Sequence, residues 1–294
     1  MFINKLSGKK MDIAYFNGTY MPRDEIRISP DDRGFLFAEG IYEVVRWYQG
    51  FFFDMDGHLA RMKRSLKETF ITWPDEDKFP AIAHDLIRLN HLENLQSLVY
   101  LQVTRGAAIR SHAFPIPPVN PTVYAFAKEF TPENTGRESG VAITVREDIR
   151  WARCGIKSTA LLPNTLGFQD AVSKGFSECA FVRNGMITEC SHSNIFLVQK
   201  GIVHTHPESE SILSGITRKN IIRLARRERI PLKEEAVALR RLSGVQEIFI
   251  TNTSGEITPV VRVDNFVIGG GIPGPVTRIL RERFNDQICS YKHS

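Results

Sequence analysis

The chain has 294 residues, 42% hydrophobic and 24% charged, with a formal net charge of +5. That is enough chain for one large or two ordinary domains, and the composition excludes a disordered or fibrous protein. Its densest basic run, Arg223, Arg226, Arg227 and Arg229, is mixed with leucine and glutamate on a helical pattern without interleaved aromatics, so it reads as a solvated helix face and no nucleic-acid partner is expected.

The first ten residues read as a frayed extension, with Met11 an alternative start. Beyond it come short strands at 13–16 and 19–21 around Asn17-Gly18, a favoured hairpin turn. A strand at 41–48 turns at Gln49-Gly50 and returns through 51–53. Helical spacing follows at 59–71 and 79–92, then strands at 98–104 and 122–128. The Pro-, Gly- and charge-rich stretch 131–140 reads as a linker, separating a smaller N-terminal domain (11–130) from a larger C-terminal one (141–294). That second half alternates irregularly. Strands are expected at 141–145, 178–182, 186–190, 195–198, 202–204, 247–250 and 258–263, with helices at 166–173, 217–227 and 276–284. Without a regular strand-helix-strand repeat, the fold class reads as α+β.

Two segments carry the chemistry. Lys157 lies in 148–159, where an apolar-aromatic pattern breaks into small polar residues, and Trp151, Ile156, Leu161 and Leu162 argue for its burial. Glu189 lies in Ile187-Thr188-Glu189-Cys190-Ser191-His192-Ser193-Asn194, a strand expected to be buried. An amine that can hold an aldehyde, and a carboxylate that can keep a pyridine nitrogen protonated, suit pyridoxal phosphate. A buried glutamate needs a partner in any case, and Arg150 or Arg153 would make the alternative, a structural ion pair. Leu213-Ser214-Gly215 precedes a helical run, so the Ile216 and Thr217 amides would face an anion. Arg110 and His112 are two apart and face the same way in an extended segment, as do Tyr42 and Val44.

The ordered motifs Asp32-Arg33-Gly34, Gly40-Ile41-Tyr42-Glu43-Val44-Val45, Thr104-Arg105-Gly106, Arg110-Ser111-His112, the lysine and glutamate segments, Gly215-Ile216-Thr217-Arg218 and Glu256-Ile257-Thr258-Pro259 resemble the fold-type-IV pyridoxal-phosphate aminotransferases. The resemblance runs from about Ile13 to Ile279 and is nearest to the D-amino-acid transaminases. It implies a two-domain fold, pyridoxal 5′-phosphate held as a Schiff base on Lys157, and Glu189 as the pyridinium partner. It further implies phosphate binding by Arg61, Ile216, Thr217 and Thr253. Tyr42, Arg110 and His112 would trap the substrate α-carboxylate, the latter two reaching from the neighbouring subunit of a homodimer. The implied reaction moves an amino group from a D-amino acid to a 2-oxo acid such as 2-oxoglutarate or pyruvate. An L-branched-chain aminotransferase or an aminodeoxychorismate lyase of the same fold are the alternatives. The branched-chain enzymes share the lysine, glutamate and phosphate motifs but lack the Arg110–His112 trap. His192 departs from the small hydroxyl residue common in relatives, as do Ala38-Glu39-Gly40 and Gly255 from their usual counterparts.

Gly269-Gly270-Gly271-Ile272-Pro273-Gly274 satisfies a dinucleotide glycine pattern, but it leaves no room for a second strand with an acidic ribose partner and reads as a turn before the last helix. His204-Thr205-His206 has no third ligand nearby, so no metal is expected. Cys154, Cys179, Cys190 and Cys289 lack paired spacing, and neither a signal-peptide pattern nor an apolar membrane-spanning run is read. A reducing cytoplasm and no membrane partner are therefore expected.

Overall fold

In a computed structural model that describes residues 12–291, the chain forms two units, the first ending at Phe130 and the second beginning at Thr131. The first ten residues and Met11, read above as an extension and an alternative start, lie outside the described residues. Asn17 and Gly18 both adopt positive φ, 46° and 97°, the twist that a two-residue hairpin requires. They join β1 (Ile13–Phe16) to β2 (Thr19–Pro22). A short helix α1 (Arg33–Phe37) leads into β3 (Gly40–Tyr48), followed by helices α2 (Met55–Thr69) and α3 (Phe79–Leu89) and strands β4 (Gln96–Thr104) and β5 (Thr122–Glu129). The strands form an antiparallel sheet in the order β2-β1-β5-β4-β3, and α2 packs on β3. The expected return strand at 51–53 makes only one bridge, Trp47 to Phe52. The cause is Asp54, whose carboxylate accepts from the Gly57 amide (3.1 Å) and starts α2 earlier than the apolar periodicity suggests.

The second unit opens on a helix where a linker was expected. Helix α4 (Asn134–Ser139) packs on the later strand Glu256–Val263 and is tied there by the Arg137–Glu256 ion pair. Next come β6 (Val141–Glu147), α5 (Leu162–Ser173), β7 (Glu178–Arg183), β8 (Met186–Cys190), β9 (Asn194–Gln199) and β10 (Ile202–Thr205). Helix α6 (Ile216–Arg227), β11 (Leu232–Glu234), β12 (Glu247–Asn252), β13 (Glu256–Val263), β14 (Phe266–Val267) and α7 (Pro275–Tyr291) complete it. The mixed sheet runs β11-β10-β9-β12-β13-β6-β7-β8, with β14 beside β13. Leu197, Ile248 and Ile250 bury one face with Ile143, Ile187 and Val260, while Phe196 and Phe249 alternate to the other and stack at 4.7 Å. Helices α6 and α7 pack against β12.

The late glycines form a 3-10 turn before α7. The Glu247 carboxylate takes the Val276 and Thr277 amides at 3.0 and 2.8 Å, so an internal anion occupies the helix start that a dinucleotide phosphate would need. His204 is buried 2.8 Å from Glu235, whereas His206 has left the strand and bonds the Pro207 carbonyl.

Candidate active site

Glu189 sits on β8 with 5% of its surface exposed. One oxygen accepts from Arg150, and the other from Asn194 Nδ2 (2.9 Å) and the Leu213 amide (3.0 Å). Burial pushes its carboxyl up to about 7, although the Arg150 charge pulls the other way. Arg150 is the ion-pair partner weighed from the sequence, and it is shared. Its Nε and Nη2 hold Asp148 at 2.9 Å each, which keeps that carboxyl low despite its burial. Arg150 Nη2 also bonds the Ser211 carbonyl at 3.1 Å.

Asn194 links this carboxylate to α6. Its Nδ2 donates both to Glu189 and to the Leu213 carbonyl (2.8 Å). Two residues on, Gly215 is the N-cap of α6, and no side chain caps the helix. The Ile216 and Thr217 amides therefore open a twelve-residue helix among the groups that have no intrahelical acceptor. Thr217 is buried in the first turn rather than at the cap. Thr253 lies in the β12–β13 turn, organised by Asn252, whose Oδ1 accepts from Gly255 at 2.5 Å and whose Nδ2 donates to Ser193 at 2.8 Å. One strand residue earlier, the Thr251 hydroxyl is buried without a hydrogen-bond partner among the described residues.

Lys157 is half-buried in a loop ahead of α5, not on a strand. The loop is held by Cys154 N donating to Glu210 O (2.8 Å) and Ser158 N to Ile156 O (2.9 Å). Ile156 and Ser158 on either side are buried, but Trp151 and Leu162, expected to shield the lysine, are exposed within this unit. Nearby, the turn after β8 places His192 Nδ1 2.9 Å from the buried Glu178 carboxylate. Glu178 also accepts from Ser191, from Ser193 Oγ (3.1 Å) and from Cys179 N (2.8 Å).

These residues fit pyridoxal 5′-phosphate. A buried carboxylate oriented by Arg150, Asn194 and the Leu213 amide can, when ionised, accept from a cationic ring N–H. An uncapped helix start accommodates a phosphate, and the orphaned Thr251 hydroxyl lies beside the turn that bears Thr253.

The first unit carries the other predicted residues. Arg61, on α2, is buried and clamped by Glu43 of β3, with Nε and Nη2 each 2.7 Å from one carboxylate oxygen. His58 Nδ1 approaches the same carboxylate at 2.9 Å. Burial would raise the Glu43 carboxyl, but the Arg61 charge holds it well below the usual range. The guanidinium edge formed by Nε and Nη2 is therefore committed to Glu43. Tyr42 leaves β3 from the opposite face and stacks on Tyr100 at 5.8 Å. Arg110 and His112 are exposed and converge on Phe37, whose ring lies 5.0 Å from the Arg110 guanidinium and 5.6 Å from the imidazole. Their segment is irregular rather than extended. Arg33 fixes it: its Nη1 donates to the Ser111 carbonyl at 2.7 Å, while its other nitrogens grip Glu39 at 2.8 and 2.7 Å.

Sequence reasoning gave no role to Glu178, Asn194, Glu43 or Arg33. A signal existed for Glu178: a carboxylate opening the apolar run Cys179-Ala180-Phe181-Val182 needs donors, and Ser191-His192-Ser193 supplies them.

The model of the amino-transferase class IV family matches residues 40–263. The chain is 38% identical to a D-alanine aminotransferase of Staphylococcus haemolyticus over 95% of this chain and 99% of the relative. It is 34% identical to that of Bacillus licheniformis over 94% and 96%. Among solved structures, an Escherichia coli branched-chain amino acid aminotransferase superposes with a TM-score of 0.89 at 26% identity, covering 94% of each chain. The pyridoxal-phosphate holo-form of a Thermobaculum terrenum branched-chain amino acid aminotransferase gives 0.82 at 21% identity over 95% of each, a likeness of fold.

Proposed function

This chain belongs to the class IV aminotransferases, and we propose that it exchanges an amino group between D-amino acids and 2-oxo acids with pyridoxal 5′-phosphate as cofactor. Glu189 is the observation that carries the cofactor reading: a buried carboxylate on β8, oriented by Arg150, Asn194 and the Leu213 amide, can accept from a cationic ring N–H when ionised. The likeness to D-alanine aminotransferases over nearly the whole chain, together with Arg110 and His112, supports the D-amino-acid substrate class.

When bound, the cofactor supplies an electron sink for charge developing at the substrate α-carbon. Lys157 would hold it covalently and, once displaced by the substrate amine, take the Cα proton on Nζ. Glu189, oriented by Arg150, Asn194 and the Leu213 amide, would face the ring nitrogen. The Ile216 and Thr217 amides, the Thr217 and Thr253 hydroxyls and the Arg61 guanidinium would hold the phosphate. Tyr42, Arg110 and His112 would bind the substrate α-carboxylate, the last two acting on the neighbouring site of a homodimer. Four free cysteines fit a cytoplasmic location, and no helix among the described residues is long and apolar enough to cross a membrane.

Turnover of D- and L-alanine with 2-oxoglutarate tests the reading. The D-isomer should react, and turnover of the L-isomer alone would replace it with an L-specific one. The purified protein should be yellow, and Lys157→Ala should lose both that absorbance and all transamination. A colourless wild type that binds no pyridoxal phosphate would refute the cofactor assignment.

A further inference from the structure

His192 stands out because its ring remains 52% exposed while Nδ1 is committed to buried groups. Nδ1 lies 2.9 Å from Glu178 and 3.0 Å from the Ser191 hydroxyl. With Glu178 ionised and itself accepting from Ser191, Nδ1 must carry a proton. Nε2 makes no hydrogen bond among the described residues, so the exposed part of the ring offers that nitrogen alone to a ligand. The ring is braced edge-on against Phe168 of α5, centroids 5.0 Å apart, and Asn164 of α5 bonds the Ser191 carbonyl at 2.7 Å. Lys157 is near enough for its charge to bear on the imidazole. The turn that carries His192 also lies between Glu189 and Asn194, both already placed in the site.

We propose that His192 is a specificity-determining residue whose Nε2–H binds a second carboxylate at the far end of the substrate, favouring dicarboxylic over short monocarboxylic substrates. This rests on the reading that Lys157 marks the reacting end of the substrate. Two charged groups, Glu178 from β7 and Lys157 from the loop before α5, bear on the ring, and Phe168 of α5 packs edge-on against it. Desolvation and Lys157 disfavour the imidazolium, but Glu178 outweighs them and the imidazole is held above its ordinary value. Protonated, Nε2 donates to an anion; deprotonated, it presents a lone pair and repels one.

The test uses the full-length holoenzyme and two readouts. The His192 imidazole resonance, assigned by its loss in His192→Gln, should move on adding glutarate and stay put with butyrate. The ratio of kcat/KM for 2-oxoglutarate over pyruvate should fall about tenfold in His192→Ser, the scale of one charge-assisted hydrogen bond at a half-exposed site. In the wild type the same ratio should fall as pH rises through the imidazole titration. Equal movement with both acids, or with neither, overturns the proposal, as does an unchanged ratio in the variant. If the Ser variant does not fold, His192→Gln, which keeps an N–H but no charge, should give a smaller fall in the same direction. A chain that transaminates nothing would refute the functional reading, while the glutarate titration would still decide the role of His192.

Discussion

Glu189 sets a pH dependence that can be measured without any cofactor. Its carboxyl is raised by burial to about 7 in the folded chain, against an ordinary value near 4.3 when unfolded. A raised acid stabilises the fold fully below the unfolded value, and that contribution is lost as pH climbs through the folded one. Between about pH 4 and pH 8 the cofactor-free protein should therefore lose roughly 3 kcal/mol that Glu189→Gln does not lose. Denaturant midpoints of the two proteins across this range check it. Parallel pH profiles would mean that Arg150 already neutralises the carboxylate. At this scale the sequence was informative about identity and weak about partners. Lys157 and Glu189 could be singled out because ionisable residues beside apolar strands are costly. Asn194 could not, because an asparagine at the start of a strand looks the same whether or not it bridges two loops. Arg61 was legible as a cation, whereas its clamp on Glu43 depends on which face of β3 meets α2.

Helix α6 begins where Glu189, Asn194 and Leu213 are tied together, so its start is positioned by the carboxylate network. Gly215 is tight against that network: an added Cβ would lie 2.1 Å from Asn194 Oδ1. Its backbone, at φ −66° and ψ 139°, suits any residue, so the requirement for glycine is purely steric. Gly215→Ala should displace Asn194 and weaken pyridoxal phosphate binding about tenfold or more, at a stability cost of about 1–3 kcal/mol. Equilibrium dialysis alongside thermal melts separates the two effects; unchanged affinity would show that α6 does not hold the phosphate. The helix itself was readable from its apolar period, as was the hairpin at Asn17-Gly18 from its turn residues. Helix α4 was not, since six residues containing Gly136 have little intrinsic propensity and depend on β13 and the Arg137–Glu256 pair. The two-residue strand β14 and the parallel strand β11 likewise exist only through their partners.

The whole protein divides its predicted chemistry by unit: Tyr42, Arg61, Arg110 and His112 in the first, and Lys157, Glu189, Thr217 and Thr253 in the second. If Arg110 serves the neighbouring subunit, two inactive variants should complement each other. Mixing equal amounts of Lys157→Ala and Arg110→Ala chains under subunit exchange makes half of the dimers mixed, each with one intact site. Activity should return to about a quarter of wild type, read against either variant alone. No recovery would place Arg110 on its own chain's site or outside the site altogether. Among the described residues no strand ladder crosses the Phe130–Thr131 junction, for each sheet is assembled from one side of it. That junction is consequently a natural seam for recombination. A gene crossover there, between this chain and a relative, would exchange Tyr42, Arg61, Arg110 and His112 as one block while keeping Lys157, Glu189, Thr217 and Thr253 together.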